Sequence, residues 1–301
     1  LRGGPLYITG GGSLIQDAPS RRSLWFYLFT LRAARRCGCR VMMYGCGIGP
    51  VRRPGGVRST RRTLNSCVDI ITLREPDSME ELHRFGVEGP ELILASDPAL
   101  TLSPAPAEEI DAEFNSAGAD PEGKYICFAL RRWPGFEEKA PAFAAAARYA
   151  HEKYGLTPAF VSINHKSDGE AAAAVASLMD GVERVFIPGP LPSALAIGVM
   201  SRMEIVVSMR LHGLIFAAGQ GVPLVGVSYD PKVTAFLRCV DGGCVTLEDL
   251  TEDGLCRLID AAAALREDPA ALEASVARLR AIEHKNTASA ARLLGKQVND
   301  Q

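Results

Sequence analysis

Two cysteine patterns are missing from this chain. Among its eight cysteines no pair stands at C-x-x-C spacing, and none sits beside a histidine at metal-ligand spacing. That excludes the usual signatures of a structural zinc site. Cys46 and Cys127 instead fall inside apolar runs, where a thiol behaves as a small buried hydrophobe. Reduced core thiols in a cytoplasmic protein are the expectation. Long hydrophobic runs are lacking too: none spans a bilayer, and the first residues carry no signal-peptide pattern but enter a strand directly. Because the sequence starts at Leu1, further natural sequence is expected upstream. Charge of one sign is also absent, with 33 Lys+Arg against 35 Asp+Glu and a net charge of −2. Without a global basic field, nucleic acid is excluded as a partner. A local cluster, Arg52, Arg53, Arg58, Arg61 and Arg62, reads as a solvated loop and helix start.

What is present is ordinary globular material, 301 residues of which 47% are hydrophobic. Short β-rich runs alternate with helical patterns. Strands are expected at 6–9, 40–44, 69–74 and 91–95, with helices at 24–36, 56–67 and 76–85 between them. Residues 102–123 lose this rhythm and read as an interdomain crossing with a short helix at 107–115. Strands then recur at 125–130, 158–163, 184–187, 204–208 and 223–228, separated by helices at 141–154, 170–179, 191–201 and 213–220. A helix at 232–239 and a helical tail from 255 onward finish the chain. The pattern predicts an α/β protein of two Rossmann-like domains, 1–118 and 119–301, facing a cleft.

In open parallel sheets, ligands bind beyond the carboxyl ends of the strands. Five segments fall there. Gly10-Gly11-Gly12-Ser13-Leu14-Ile15-Gln16-Asp17 lets backbone N–H groups approach an anion or a sugar, or simply makes a tight turn. Arg74 ends a strand, where its fork suits carboxylate or phosphate; pairing with Glu75 or Asp77 is the alternative. Ser208-Met209-Arg210-Leu211-His212-Gly213 turns an apolar strand into a helix N-terminus, an anion pocket in which His212 is read as functional. In Ser228-Tyr229-Asp230-Pro231-Lys232, a first-turn lysine opposes the helix dipole, and an anionic ligand would account for it. Ser96-Asp97-Pro98-Ala99 is a weaker fifth segment, with helix capping by Asp97 as the plain reading.

Taken in order, these motifs, together with Tyr44-Gly45-Cys46-Gly47-Ile48-Gly49-Pro50 and Arg210-Leu211-His212-Gly213-Leu214-Ile215-Phe216-Ala217, resemble the polysaccharide pyruvyl transferases, nearest the CsaB-type branch that acts on bacterial cell-wall polymers. The resemblance implies a glycosyltransferase B-like fold and transfer of pyruvate from phosphoenolpyruvate to a sugar as a ketal. It implies no cofactor beyond phosphoenolpyruvate as co-substrate, and no metal. It also implies a glycan or lipid-linked saccharide acceptor, such as an N-acetylmannosamine-containing polymer precursor, and peripheral contact with the inner membrane surface. Oligomeric state is left open. An upstream βα segment with a Gly-rich Asn/Gly-Asp-Glu motif, normal in the family, is missing here, and Cys46 stands where Gln is common. Arg74, Arg210, His212 and Lys232 would surround phosphoenolpyruvate, with Ser208 and Gly213 in the same pocket. His212 would act as general acid or hold the leaving phosphate, and Asp17 and Asp230 would serve as bases. The acceptor would lie near Gly11, Gly12 and Asp17. A nucleotide-sugar glycosyltransferase of the same fold and a non-enzymatic sugar-binding protein are the competing readings.

Overall fold

The computed structural model describes residues 4–17, 20–163, 165–240 and 242–295, the side chains of residues 165 and 166 excepted. It divides into two compact units, one formed by Leu1–Pro98 with Arg278–Gln301, the other by Ala99–Ala277.

The first unit is a parallel sheet in the order β1-β3-β4-β5, with β2 paired to β3. Its strands are β1 (Leu6–Gly10), β2 (Ser13–Ile15), β3 (Arg40–Ile48), β4 (Ile70–Leu73) and β5 (Glu91–Leu94). Helix α1 (Arg21–Arg36) follows β2 and buries Leu24, Leu28, Leu31 and Ala34, one face at helical spacing. It ends where Gly38 takes a positive φ of 82°. Helices α2 (Pro54–Cys67) and α3 (Pro76–Phe85) both open with proline near their N-termini, where a missing N–H costs nothing. The apolar faces of all three close over Val41, Met43, Ile71 and Leu73.

The second unit is a six-stranded parallel sheet in the order β11-β10-β9-β6-β7-β8. Its elements are α4 (Ala107–Ser116), β6 (Tyr125–Ala129), α5 (Phe136–Tyr154), β7 (Thr157–Val161), α6 (His165–Ala176), β8 (Val185–Ile187) and α7 (Ser193–Ser201). Then come β9 (Met203–Ser208), α8 (Leu211–Gly219), β10 (Leu224–Ser228), α9 (Pro231–Cys239), β11 (Gly243–Thr246) and α10 (Glu252–Glu267); the division at Ala277 falls within α11 (Ala270–Glu283). Alternate strand residues serve two cores. Phe128, Phe160, Val207 and Val227 pack with α5, α6 and α10, while Cys127, Ala129 and Val206 pack with α4, α7 and α8. The chain runs outward from β6 to β8, returns to β9, and runs outward again to β11. That reversal puts the topological switch point between β6 and β9.

Several expectations are corrected. The division falls at Pro98 rather than at 118, because α4 buries Ile110 and Phe114 in the second unit's core. The tail is three helices, and the last, α12 (Lys285–Leu293), packs on β3 and β4 of the first unit. Its final residues, 296–301, lie outside the described residues. Helix α5 starts at Phe136, not 141, since buried Phe136 and Ala140 extend its apolar face past Pro141. Strands β2 and β11 were not expected; both are short and Gly-flanked. Among the described residues no helix is long and apolar enough to cross a membrane.

Candidate functional site

At the switch point of the second unit, Ser208 ends β9 and its hydroxyl is engaged inside the turn. It accepts from the Arg210 N–H at 2.9 Å and donates to the Arg210 carbonyl at 2.9 Å. Arg210 is the N-cap residue of α8. Its Nε donates to the Asp168 carboxylate at 3.0 and 3.1 Å, and its Nη2 to Ser167 Oγ at 2.8 Å and also to Asp168. Asp168 is almost fully buried and accepts from the Ile163 N–H at 3.0 Å as well. Gly213 is required by packing: a Cβ there would lie 2.8 Å from Ser208 Oγ. His212 is half-buried and faces a cavity of about 220 Å³ lined by Ser162, Ile163, Leu191 and Phe216.

The neighbouring strand ends complete the arrangement. Asp230 caps α9 by accepting from the Lys232 N–H at 3.2 Å, and its other oxygen meets Lys232 Nζ at 3.1 Å. Beyond β6, Arg131 crosses the end of β9 to donate to the Tyr229 hydroxyl at 2.8 Å. Its guanidinium lies 4.9 Å from the Trp133 ring and 5.1 Å from the Tyr229 ring, which are themselves 4.6 Å apart. Its Nε is buried without a hydrogen-bond partner among the described residues. Three cations and a histidine therefore gather beyond β6, β9 and β10, where α8 and α9 present their N-termini. Two of these cations are ion-paired, Arg210 with Asp168 and Lys232 with Asp230, while helix N-termini and a guanidinium fork are groups that favour an anion.

A family model for polysaccharide pyruvyl transferases matches residues 3–231. The chain belongs to that family. A comparison with curated proteins returned no match. Among solved structures, a putative UDP-N-acetylglucosamine 2-epimerase from Listeria monocytogenes is similar at TM-score 0.66 and 11% identity, over 98% of this chain and 78% of that one. The UDP-GlcNAc 2-epimerase of Neisseria meningitidis, bound to UDP-GlcNAc, gives 0.65 and 13%, over 97% and 76%. HepE of Anabaena, in complex with UDP, gives 0.57 and 13%, over 89% and 76%. At these identities the likeness is one of fold, which is glycosyltransferase B-like.

The first unit of the transferase holds the other expected residues. Gly10 ends β1 and Gly11 and Gly12 form the turn after it, with Gly11 at φ 75°; a Cβ on Gly10 would lie 1.9 Å from the Tyr44 carbonyl oxygen. Asp17 accepts from the backbone N–H groups of Arg52 and Arg53 at 3.0 and 3.3 Å, and borders a cavity of about 340 Å³. Arg74 is a correction. Its side chain is only 4% exposed, and its nitrogens donate to Glu75 at 2.9 Å, Asp97 at 2.9 Å and Ser13 at 3.2 Å. A guanidinium so engaged braces the glycine loop against β4 and is not offered to a ligand. Burial works against the Arg74 charge, but Glu75 and Asp97 outweigh it and hold its pKa above the ordinary arginine value. Burial likewise lifts Glu75 above the usual carboxylate range, against the pull of Arg74 and Ser78. Asp97 is thus a partner of Arg74. A Cβ on Gly47 would meet Arg74, Glu75 and Ser13 within 2.9 Å, so this cluster accounts for that glycine. Burial pushes the Cys46 thiol up to about 12, as suits a core residue.

Two corrections concern the second unit. Ser208 and Gly213 shape the turn rather than face a ligand. Asp230 is a helix cap and an ion-pair partner. The residues missed by sequence reasoning are Arg131, Trp133 and Asp168. Arg131 could have been found, because it follows a strand's carboxyl end like the segments that were selected.

Proposed function

We propose that this transferase moves pyruvate from phosphoenolpyruvate onto two hydroxyls of a sugar as a ketal, with release of phosphate. The observation that carries the reading is the cluster of Arg131, Arg210 and Lys232 around the α8 and α9 N-termini, beside His212. Phosphoenolpyruvate carries a carboxylate and a phosphate on three carbons, so it needs several fixed positive groups within a short span. Arg131 and Lys232 take the two anionic groups, Arg210 is fixed by Asp168, and the small cavity at His212 receives the methylene end. An acid protonates the methylene carbon, which leaves oxocarbenium character at the adjacent carbon. A sugar hydroxyl adds there and gives up its proton; phosphate leaves, and a neighbouring hydroxyl closes the ketal. His212 supplies the proton or holds the departing phosphate. Asp17, half-buried at its own cavity in the first unit, and the Gly11-Gly12 turn are assigned to binding the acceptor sugar. The acceptor is a cell-wall polymer precursor bearing N-acetylmannosamine, as in the CsaB-type branch.

The experiment is to incubate the protein with phosphoenolpyruvate and such a glycan, then measure phosphate release and pyruvate on the glycan. Because solved structures of this fold hold UDP and UDP-GlcNAc, a nucleotide-sugar is the control ligand. Its consumption, with phosphoenolpyruvate left intact, would replace the proposal with a glycosyltransferase.

A further inference from the structure

The arginine cluster on α2 belongs to a larger surface. Residues 18–68 contain eleven arginines and no aspartate or glutamate, in a chain whose net charge is −2. On α1, Arg21, Trp25, Phe29, Arg32 and Arg36 recur at helical spacing and share one stripe, with Arg22 and Phe26 beside it. Trp25, Phe26 and Phe29 are 43%, 60% and 65% exposed. Arg21, Arg22, Arg36, Arg52, Arg53, Arg58, Arg61 and Arg62 are exposed as well. The cavity bordered by Asp17 joins the two helices, with Arg21 and Trp25 on one side and Arg53 on the other.

Three large aromatics on one helix face exceed the scattered exposure normal for a soluble surface. A nucleic-acid backbone would be matched by the arginines alone and gives no reason for Phe26 and Phe29. A helix face that mixes arginine with tryptophan and phenylalanine, without one acid, has the composition of a helix lying in a bilayer interface. We propose that the α1–α2 face docks the protein on an anionic lipid bilayer, the aromatics entering the headgroup region and the arginines meeting lipid phosphates. This stands independently of the proposed reaction, since it needs neither donor nor acceptor.

The test is co-sedimentation of the purified protein with vesicles of phosphatidylglycerol and phosphatidylcholine, against phosphatidylcholine alone, at low and high salt. Binding is expected only to the anionic vesicles and should fall as salt screens the charges. Arg61→Glu/Arg62→Glu should weaken it about fivefold or more per site, and Phe26→Ser/Phe29→Ser by a comparable factor. Circular dichroism shows whether each variant keeps its fold. Folded variants that bind like the parent, equal binding to neutral vesicles, or no vesicle binding would overturn the proposal. So would a dimer in sedimentation analysis that Phe26→Ser/Phe29→Ser dissolves, or binding of duplex nucleic acid in place of vesicles.

Discussion

Arg210 and Asp168 stand 42 residues apart in sequence and close a buried ion pair at the carboxyl end of β9. The carboxylate holds the guanidinium on one side while the Ser208 hydroxyl fixes the backbone of the same residue. Arg210 therefore reaches the switch point in a set orientation, and the turn into α8 inherits it. Removing Asp168 leaves a largely buried charge and an unsatisfied Ile163 N–H. Asp168→Ala should destabilise the protein by about 3–5 kcal/mol in urea unfolding. Asp168→Ala/Arg210→Ala should cost less than the sum of the two single changes; additivity would mean that the pair is not coupled.

Arg131 carries the second prediction. Set against the paired rings of Trp133 and Tyr229 and bonded to the latter's hydroxyl, it is pre-ordered for an anion. Arg131→Ala should weaken phosphoenolpyruvate binding roughly tenfold to a hundredfold by calorimetry. Arg131→Lys should recover little of it, because an ammonium cannot reproduce the planar fork. Tyr229→Phe, which removes one hydrogen bond, should cost only severalfold. Unchanged donor affinity in Arg131→Ala would move the donor site elsewhere.

How far the sequence discloses this site depends on the kind of signal. The βα alternation and most strands are legible because apolar periodicity is local, and the strand-end rule selects Arg210, His212 and Lys232 as candidates. Partnership is not local. That Arg74 faces Glu75 and Asp97 and not a ligand depends on β4 and the segment after β5 coming side by side, 23 residues apart. Asp168 gives no distinguishing signal in sequence, since it lies in the first turn of a helix, where an acid already has a reason to be. The boundary at Pro98 was missed for a similar reason: a proline-rich stretch looks like a linker, yet Ile110 and Phe114 in α4 are core residues of the second unit.

Gly213 gives a third prediction, on packing rather than charge. A methyl group there would lie 2.8 Å from Ser208 Oγ and 3.5 Å from the Ala129 Cβ, between β9 and β6. Gly213→Ala should cost about 1–3 kcal/mol and lower donor affinity together, since the hydroxyl it displaces organises the Arg210 backbone. Gly12→Ala serves as the comparison, because its nearest neighbour for an added Cβ is 3.9 Å away. Thermal unfolding of both variants separates the two cases. If Gly213→Ala is as stable as the parent, the turn has room that the geometry denies.

The Arg74 cluster makes a prediction about pH. Burial holds Glu75 above its ordinary carboxylate range even beside Arg74. A carboxyl whose folded pKa exceeds its unfolded value, about 4.3, contributes fully below that value. That contribution is lost as pH rises through the folded pKa, because the folded site resists ionisation. In Arg74→Met the positive charge is gone and the apolar chain roughly fills its space, so Glu75 and Asp97 must ionise in a buried site with no counter-charge. The deficit of the variant against the parent should therefore be small near pH 4 and widen toward neutrality, to about 3–5 kcal/mol. Urea unfolding of both proteins across this range measures it directly. A deficit that stays constant with pH would mean that Arg74 supports the loop by packing, and that the two carboxylates do not depend on its charge.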